Sequence, residues 1–347
     1  MPASTSTRCN AQWKKNNLSG SRLSSALSGA ELSLPDTGRI AVFAPRTDVH
    51  DLSPLPQDRL HVLTGFKPDT DHFAARGLSC ATEPEGRYSA AIICLPRSKQ
   101  LARGLIAEAA RVTDGPIIVD GAKTDGVESI LKECRKRAQV SPPLSKAHGK
   151  LFWFTASPAF DDWAIGAPQV IADGFVTQPG VFSADGIDPG SRLLADTLPA
   201  KLGAHLADLG GGWGYLSARA LEGRDIKTLD LVEADHAALA CARQNIADPR
   251  LRLHWDDATR WRPDAALDCV ITNPPFHTDR NADPALGRAF ITSAAAMLKP
   301  SGQLWLVANR HLPYEDALAA CFANVTKVAG DNRFKILHAT RPSRKAR

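Results

Sequence analysis

The chain has 347 residues, of which 44% are hydrophobic and 23% are charged, and it carries a net charge of +5. These values are typical of a soluble globular protein with two domains. No segment approaches the roughly 20 apolar residues that a membrane-spanning helix requires. Seven cysteines are scattered without a Cys-x-x-Cys pair. This pattern predicts free thiols, with no disulfide framework and no metal site.

Residues 1–36 are predicted to form a disordered tail. The first thirty contain seven Ser, four basic residues and no Asp or Glu. This composition overlaps with that of an organellar transit peptide, but the tail of a cytoplasmic protein is the simpler interpretation. Because the segment has no apolar core of the kind found in secretion signals, we expect a cytoplasmic location.

Beyond the tail, the two halves of the chain repeat one order of elements. The first half contains a strand, a helix and a strand at residues 90–94, 100–112 and 117–119. The second half contains a strand, a helix and a strand at residues 267–271, 283–297 and 303–308. The copies are about 180 residues apart, which indicates a tandem duplication.

Strands that alternate with helices predict parallel sheets covered on both faces. We therefore expect an α/β protein with two tandem doubly wound domains, at residues 37–156 and 191–347, joined by a Pro/Gly/Asp-rich linker at 157–190. The first copy has no glycine cluster after its first strand, and Leu95 stands where the second copy has Asn273. We therefore expect the first copy to have lost cofactor binding.

A glycine-rich loop follows the first strand of the second domain. It reads Asp-x-Gly-x-Gly-x-Gly, with its acid at Asp208 and its three spaced glycines at Gly210, Gly212 and Gly214. A dinucleotide fingerprint would need Gly-x-Gly-x-x-Gly, and the spacing here does not match it. An acid before the loop would repel a pyrophosphate but suits a ligand with an ammonium group, such as S-adenosylmethionine.

Two further acidic positions follow the next two strands. Glu233 lies 25 residues after Asp208, where a carboxylate can accept hydrogen bonds from both hydroxyls of a ribose. The pair Asp256-Asp257 ends the third strand, and Asp257 is the favoured partner for an adenine amino group. Three successive strand ends with an acid predict a nucleoside-type ligand.

The tetrapeptide Asn273-Pro274-Pro275-Phe276 follows a strand at the edge of the sheet where ligands bind. The Asn273 side-chain oxygen and the Pro274 carbonyl can both accept from one NH₂ group, and Phe276 can stack on a flat base. Such an arrangement favours methyl transfer to a conjugated amine, because two acceptors free the nitrogen lone pair. His277 is interpreted as a pocket wall rather than as a general base.

These residues resemble those of the bacterial small-subunit ribosomal RNA guanine-N2 methyltransferases and their large-subunit relatives. The resemblance rests on four stretches, at residues 178–191, 208–214, 273–277 and 307–314, and covers residues 40–347. It implies two Rossmann-like methyltransferase domains, with an active second domain and a degenerate first domain that helps to hold RNA. It also implies that residues 181–191 lie over the cofactor.

The partner implied is ribosomal RNA or the small ribosomal subunit. Basic runs at residues 132–150 and 333–347, each with six Lys or Arg, agree with phosphate contacts. Asn-Pro-Pro-Phe alone leaves other acceptors open: large-subunit RNA, adenine N6 in DNA or a protein glutamine. A non-catalytic RNA-binding or assembly protein is the alternative from another class. The oligomeric state stays open.

Overall fold

The computed structural model describes residues 18–29, 32–275 and 284–343, and only the backbone of residues 18–21. The chain divides between Ala167 and Pro168 into two compact units. Each unit contains one seven-stranded sheet, and the second unit also carries a two-stranded ribbon. None of the described helices is long and apolar enough to cross a membrane.

The sheet of the first unit has the strand order β3-β2-β1-β4-β5-β7-β6. Its strands are β1 Ile40–Phe43, β2 Leu60–Leu63, β3 Ser79–Ala81, β4 Ala90–Cys94, β5 Pro116–Ala122, β6 Leu144–Lys146 and β7 Gly149–Thr155. Its α-helices are α1 Leu18–Ser28, α2 Lys67–Ala75, α3 Lys99–Val112 and α4 Val127–Cys134. Short 3-10 turns lie at Gln57–Arg59, Lys123–Asp125 and Pro158–Trp163. The first five strands pair in parallel, whereas β7 is antiparallel to both of its neighbours.

The central strands of this sheet are buried along their whole length, as expected where helices cover both faces of a parallel sheet. Helix α3 begins after Ser98, whose hydroxyl accepts a hydrogen bond from the backbone N–H of Leu101 at 3.3 Å. The predicted strand at 90–94 and the predicted helix at 100–112 are confirmed. The following strand is longer than its predicted residues 117–119.

The second unit has the strand order β12-β11-β10-β13-β14-β16-β15. Its strands are β8 Gln169–Val170 and β9 Val176–Thr177, which form the ribbon, and β10 His205–Leu209, β11 Thr228–Glu233, β12 Leu251–Trp255, β13 Leu267–Thr272, β14 Leu298–Asn309, β15 Phe322–Gly330 and β16 Phe334–Pro342. Its α-helices are α5 Pro189–Thr197, α6 Tyr215–Leu221, α7 His236–Asn245, α8 Pro284–Met297 and α9 Glu315–Cys321, and a 3-10 turn lies at Ala172–Gly174.

The two sheets have the same strand order position by position, which confirms the predicted duplication and the α/β class. The match extends to the backbone after the first strand of each sheet. Ala44 has a φ of 51° and Gly210 a φ of 70°. Each of these residues donates its N–H to the last paired residue of the neighbouring strand, Leu63 at 2.8 Å and Val232 at 2.9 Å.

The register corrects one predicted equivalence between the copies. Phe43 pairs with Ile93 on β4, and Leu209 pairs with Thr272 on β13. The next residue after Ile93 is Cys94, so Cys94, rather than Leu95, occupies the position of Asn273. The alignment of two short apolar segments in the sequence had placed the equivalent residue one position too late. A thiol cannot replace the amide oxygen, so the first copy still lacks the acceptor.

The predicted tail at residues 1–36 is wrong for helix α1. Its residues Leu23 and Ala26 are buried, and Arg22 is only 2% exposed. The Arg22 guanidinium pairs with the Asp120 carboxylate at 2.5 Å and donates to the carbonyls of Lys146 and Ala147. The serine-rich composition concealed this short apolar face. Residues 1–17, 30 and 31 lie outside the described residues, so the tail stays a prediction there.

The predicted linker at 157–190 contains the division between the units and also contains structure. The turn Pro158–Trp163 packs Phe160 against Phe154 in the first unit, with ring centroids 4.8 Å apart. The ribbon β8–β9 belongs to the second unit, where the N–H of Val176 donates to the side-chain oxygen of Asn245 at 2.6 Å. The proline and glycine content therefore marks short ordered elements and not only a flexible connection.

Candidate active site

The glycine loop joins the end of β10 to helix α6 and takes conformations that favour glycine. Gly210, Gly212 and Gly214 have φ values of 70°, 55° and 94°. A Cβ atom on Gly211 would lie 2.5 Å from the side chain of Leu231, so packing also excludes a side chain there. A Cβ on Gly212 would meet nothing within 4 Å. The backbone at Gly212 is therefore open on the outer side of the loop.

Asp208 lies beneath this loop and not on its surface, because the residue is fully buried. Its Oδ2 accepts a hydrogen bond from the Ser217 hydroxyl at 2.7 Å, whereas Oδ1 has no hydrogen-bond partner among the described residues. Burial raises the pKa of Asp208 to about 7. A direct contact of this carboxylate with the ammonium of a ligand, as the sequence suggests, stays a prediction.

Glu233 ends β11, the strand beside β10, and holds the loop from the other side. Its Oε2 accepts from the N–H of Gly212 at 2.8 Å, and its Oε1 accepts from the N–H of Asp235 at 2.7 Å. Burial raises the pKa of Glu233 to about 7. The structure therefore brings the predicted ribose acceptor directly against the open position of the glycine loop.

The acidic pair after β12 lies at the next strand end, where the N–H of Asp256 donates to the carbonyl of Glu233 at 3.1 Å. The Oδ1 of Asp257 accepts from both the N–H and the hydroxyl of Thr259, at 2.8 and 2.7 Å. The Oδ1 of Asp256 accepts from the N–H of Asp257 at 2.7 Å. Both carboxylates therefore stabilise a turn, and the choice of Asp257 for an adenine contact stays a prediction.

Asn273 and Pro274 follow β13, which pairs directly with β10 on its other side. The hydroxyl of Thr272 donates to the carbonyl of Leu209 at 2.7 Å, so the two strand ends are bonded just before the glycine loop and the double proline. Pro274 is buried and Asn273 is half-buried. Phe276 and His277 lie outside the described residues, so their predicted stacking and wall roles remain predictions.

Two residues that the sequence analysis did not single out contact Asn273. The side-chain amide nitrogen of Asn273 donates to the Asp188 carboxylate at 3.0 Å and to the Ser191 hydroxyl at 2.9 Å. Both residues start helix α5, where Asp188 is the N-cap and Pro189 the first helical residue. An Asp before Pro is a signal for the start of a helix, so the sequence could have placed this cap, but not its contact with Asn273.

The segment 178–191 reaches from the glycine loop to Asn273. At one end, the indole N–H of Trp213 donates to the carbonyl of Phe182 at 2.9 Å. At the other end are the contacts of Asp188 with Asn273. Trp213 and Tyr215 also pack on Phe175, with ring centroids 5.2 and 5.6 Å away. These two aromatic residues therefore pack around the loop.

Comparison with known proteins gives the family. Residues 173–338 match the model of the methyltransferase small domain. The ribosomal RNA small subunit methyltransferase C of Shewanella sp. (strain MR-4) is 29% identical over 265 residues, which span 73% of this chain and 77% of the relative. The Hahella chejuensis protein of the same name is 32% identical over 235 residues, 64% of this chain and 68% of the relative.

The chain belongs to the ribosomal RNA small subunit methyltransferase C family. A solved structure with the same fold is the Thermus thermophilus 16S rRNA N2 G1207 methyltransferase in complex with AdoMet and guanosine. It is 23% identical, has a TM-score of 0.77, and the match covers 93% of this chain and 91% of that chain. The family makes the protein a methyltransferase, and the likeness to this structure shows two tandem Rossmann-like domains.

The described residues of this family member fit S-adenosylmethionine, the cofactor that the sequence predicts. The Gly212 backbone is open beside the Glu233 carboxylate, and the buried Oδ1 of Asp208 has no hydrogen-bond partner among the described residues. The first copy lacks this set, since the register places Val42 and Thr64 at the positions of Asp208 and Glu233. No group of three His, Cys, Asp or Glu that could hold a metal ion occurs within the described part of the chain.

The six cysteines in the described residues are free, as the sequence predicts: Cys80, Cys94, Cys134, Cys241, Cys269 and Cys321. Burial raises the pKa of the Cys134 thiol to about 12 and that of Cys241 to about 11. These thiols are therefore protonated at neutral pH and act as apolar core residues rather than as nucleophiles.

Proposed function

We propose that this protein transfers a methyl group from S-adenosylmethionine to the exocyclic N2 amine of a guanine in small-subunit ribosomal RNA. The observation that carries the proposal is the side-by-side placement of two loops on neighbouring strands. The glycine loop after β10 and Asn273-Pro274 after β13 meet at the carboxyl edge of one sheet, joined by the Thr272–Leu209 hydrogen bond.

We infer the cofactor contacts from the same edge of the sheet. The loop with Gly210, Gly212 and Gly214 would receive the methionine part, with Asp208 supporting it from below. Glu233 would accept from the ribose hydroxyls, and Asp257 would accept from the adenine amino group. These assignments are supported by the order of the three acidic residues, which lie at the ends of the adjacent strands β10, β11 and β12.

Bound S-adenosylmethionine supplies an electrophilic methyl group on a sulfonium, so the amine need not be ionised before it reacts. The protein has to make a conjugated amine more nucleophilic and hold it in line. The Asn273 side-chain oxygen and the Pro274 carbonyl would accept the two hydrogens of the amine and stabilise positive charge as it develops on nitrogen. Asn273 and Pro274 would keep these contacts while the methyl group passes to nitrogen, until the methylated amine releases one proton to solvent.

Exposed basic side chains at the same edge of the second unit support an RNA substrate. Arg310 follows the end of β14, Arg333 precedes the start of β16, and the N–H of Arg310 donates to the carbonyl of Arg333 at 2.8 Å. Together with His311 they line a cleft, and neither arginine forms an ion pair with a described carboxylate. Such side chains can contact phosphates. The ribosomal RNA named for the relatives also implies a cytoplasmic site of action.

Methyl transfer from a tritiated donor to defined acceptors tests this proposal. The acceptors are unmodified small subunits, large subunits, naked ribosomal RNA, duplex DNA and protein. We expect label on small-subunit RNA, at a nucleoside that mass analysis identifies as N2-methylguanosine. Label only on large-subunit RNA, DNA or protein would contradict the proposed acceptor. If a titration detected no S-adenosylmethionine binding, the protein would instead be a non-catalytic RNA-binding or assembly protein.

A further inference from the structure

The amide of Asn273 is held by two acceptors on helix α5. The Oδ2 of Asp188 accepts from the Asn273 amide nitrogen at 3.0 Å and also from the backbone N–H of Ser191 at 2.8 Å. The hydroxyl oxygen of Ser191 accepts from the same amide nitrogen at 2.9 Å. Ser191 is buried, so water does not readily replace this contact.

These contacts fix which end of the amide faces the protein. An ionised carboxylate has only acceptor atoms, so the nitrogen of Asn273, and not its oxygen, must face Asp188. An NH₂ group has two hydrogens, and the two acceptors together engage both. Turning the amide by 180° would place its oxygen against the Asp188 carboxylate. The structure therefore directs the oxygen of Asn273 away from Asp188 and Ser191.

We propose that Asp188 and Ser191 are positioning residues, which present the Asn273 oxygen as the acceptor for the substrate amine by holding both hydrogens of its amide. The inference rests on the proposed function for its catalytic meaning. A rotating amide would offer a donor to the amine for part of the time, and it would have to reorganise before each turnover. Acceptors that are oriented beforehand avoid this reorganisation.

Gly190 is part of the same arrangement. A Cβ at this position would lie 3.0 Å from Oδ2 of Asp188 and 3.1 Å from the ring of Phe334. Glycine here leaves the space that the Asp188 carboxylate occupies. Gly190 therefore keeps free the space around the carboxylate oxygen that accepts from both Ser191 and Asn273.

The variant Asp188→Asn weakens the contact with Asn273 but keeps the cap. Asn caps helices as well as Asp does, so the bond from the Ser191 N–H is kept. The same oxygen accepts from Ser191 and from Asn273, and in the variant it is neutral, so it holds the Asn273 amide less strongly than a carboxylate does. We expect kcat to fall by about 10-fold, because a loosely held amide misplaces the acceptor oxygen. The KM for RNA and the Kd for S-adenosylmethionine should change by less than about 2-fold.

Asp248→Asn is the matched control. The Asp248 carboxylate also accepts from a backbone N–H, that of Arg250 at 2.9 Å, but it lies before β12, at the opposite edge of the sheet. This substitution should leave kcat unchanged. A kcat of Asp188→Asn equal to that of the control would show that Asp188 is only a helix cap. A tenfold weaker cofactor Kd in Asp188→Asn would identify a cofactor contact instead, and either result overturns the inference.

Ser191→Ala provides a second variant that does not change the charge. It removes one acceptor of the Asn273 amide and should also lower kcat. Its thermal unfolding midpoint should stay close to that of the wild type. An unchanged kcat in Ser191→Ala, in a protein that remains folded, would remove Ser191 from the positioning role.

Nuclear magnetic resonance of protein isotope-labelled at asparagine tests the same contact without any substrate. The Asn273 side-chain signals are identified by their loss in Asn273→Ala. In the wild type, both NH₂ protons should exchange slowly with solvent, and in Asp188→Asn at least one should exchange faster. Fast exchange in the wild type would refute the positioning role. Slow exchange together with no methylation of guanine would refute the proposed function and leave the positioning of the amide intact.

Discussion

Asn273 is the residue on which the proposed chemistry depends most directly. Asn273→Ala removes the side-chain acceptor but leaves the Pro274 carbonyl and the glycine loop in place. We expect kcat to fall by ~10²-fold or more, as when a charge-stabilising group is lost. The Kd for S-adenosylmethionine, measured by calorimetry, should stay within about 3-fold, because this contact acts in the transition state.

Asn324→Ala is the control for that substitution. Asn324 is exposed on β15 and donates to the Thr340 hydroxyl at 3.2 Å, away from the glycine loop. Its removal should not change kcat. If Asn273→Ala were as active as Asn324→Ala, Asn273 would have no part in the mechanism.

Asp208 couples pH to stability. Burial raises its pKa from 3.8 to about 7, so the folded protein binds this proton more tightly than the unfolded chain does. The contribution of Asp208 to the free energy of unfolding therefore falls as pH rises from about 4 to about 7. Asp208→Asn cannot ionise and keeps an oxygen for Ser217. The free energy of unfolding of Asp208→Asn, relative to that of the wild type, should rise by at least about 1 kcal/mol between pH 5 and pH 8, as measured by denaturant unfolding. An equal difference at both pH values would contradict this account.

At the scale of elements, helix α1 is attached by a buried ion pair. Arg22→Ala leaves the Asp120 carboxylate buried without its partner, which should destabilise the first unit by about 3–5 kcal/mol. Thermal unfolding of the full chain would show this loss. The exposed pair Arg46–Asp48 is the matched comparison, and Arg46→Ala should change stability by less than about 1 kcal/mol. Equal effects of the two substitutions would mean that α1 does not depend on this pair.

The sequence predicted the elements with the strongest patterns. The apolar segments of β4 and of residues 269–271 in β13 are buried, and so their composition reveals them without any knowledge of the partner strands. Helix α1 was missed because its sequence is rich in serine, and its stability comes from packing and from Arg22. A contact between residues almost one hundred positions apart, as between Arg22 and Asp120, leaves no local signal.

In the candidate site, too, features set by the local sequence could be predicted and contacts between distant residues could not. The three acidic strand ends and Asn273-Pro274 could be aligned from spacing, because parallel strands of one sheet end at one edge. The burial of Asp208 beneath the loop could not be predicted, since it depends on how helix α6 packs on β10. The contact of Asp188 with Asn273 joins residues 85 positions apart and became visible only in the fold.

At the scale of the whole molecule, the basic residues divide into structural and exposed groups. Lys335 belongs to the C-terminal basic run, but it is buried and donates to the Glu315 carboxylate at 2.6 Å. In the first unit, Arg137 and Lys150 pair with carboxylates, whereas Lys132, Arg135 and Lys136 are exposed and form no ion pair within the described chain. Only the exposed group is available for phosphates.

This division allows a test of whether both units hold RNA. Alanine at Arg310 and Arg333 should raise the KM for ribosomal RNA about 10-fold. It should also reduce the slope of the RNA-binding constant against salt concentration, on logarithmic axes, by the amount that about two phosphate contacts contribute. Alanine at Lys132 and Lys136 should reduce the salt dependence similarly if the first unit binds RNA. Both pairs should leave the Kd for S-adenosylmethionine unchanged. If alanine at Lys132 and Lys136 left the salt slope unchanged, these two lysines of the degenerate domain would not contact the RNA backbone. Of the residues tested, only those of the second unit would then contact phosphates.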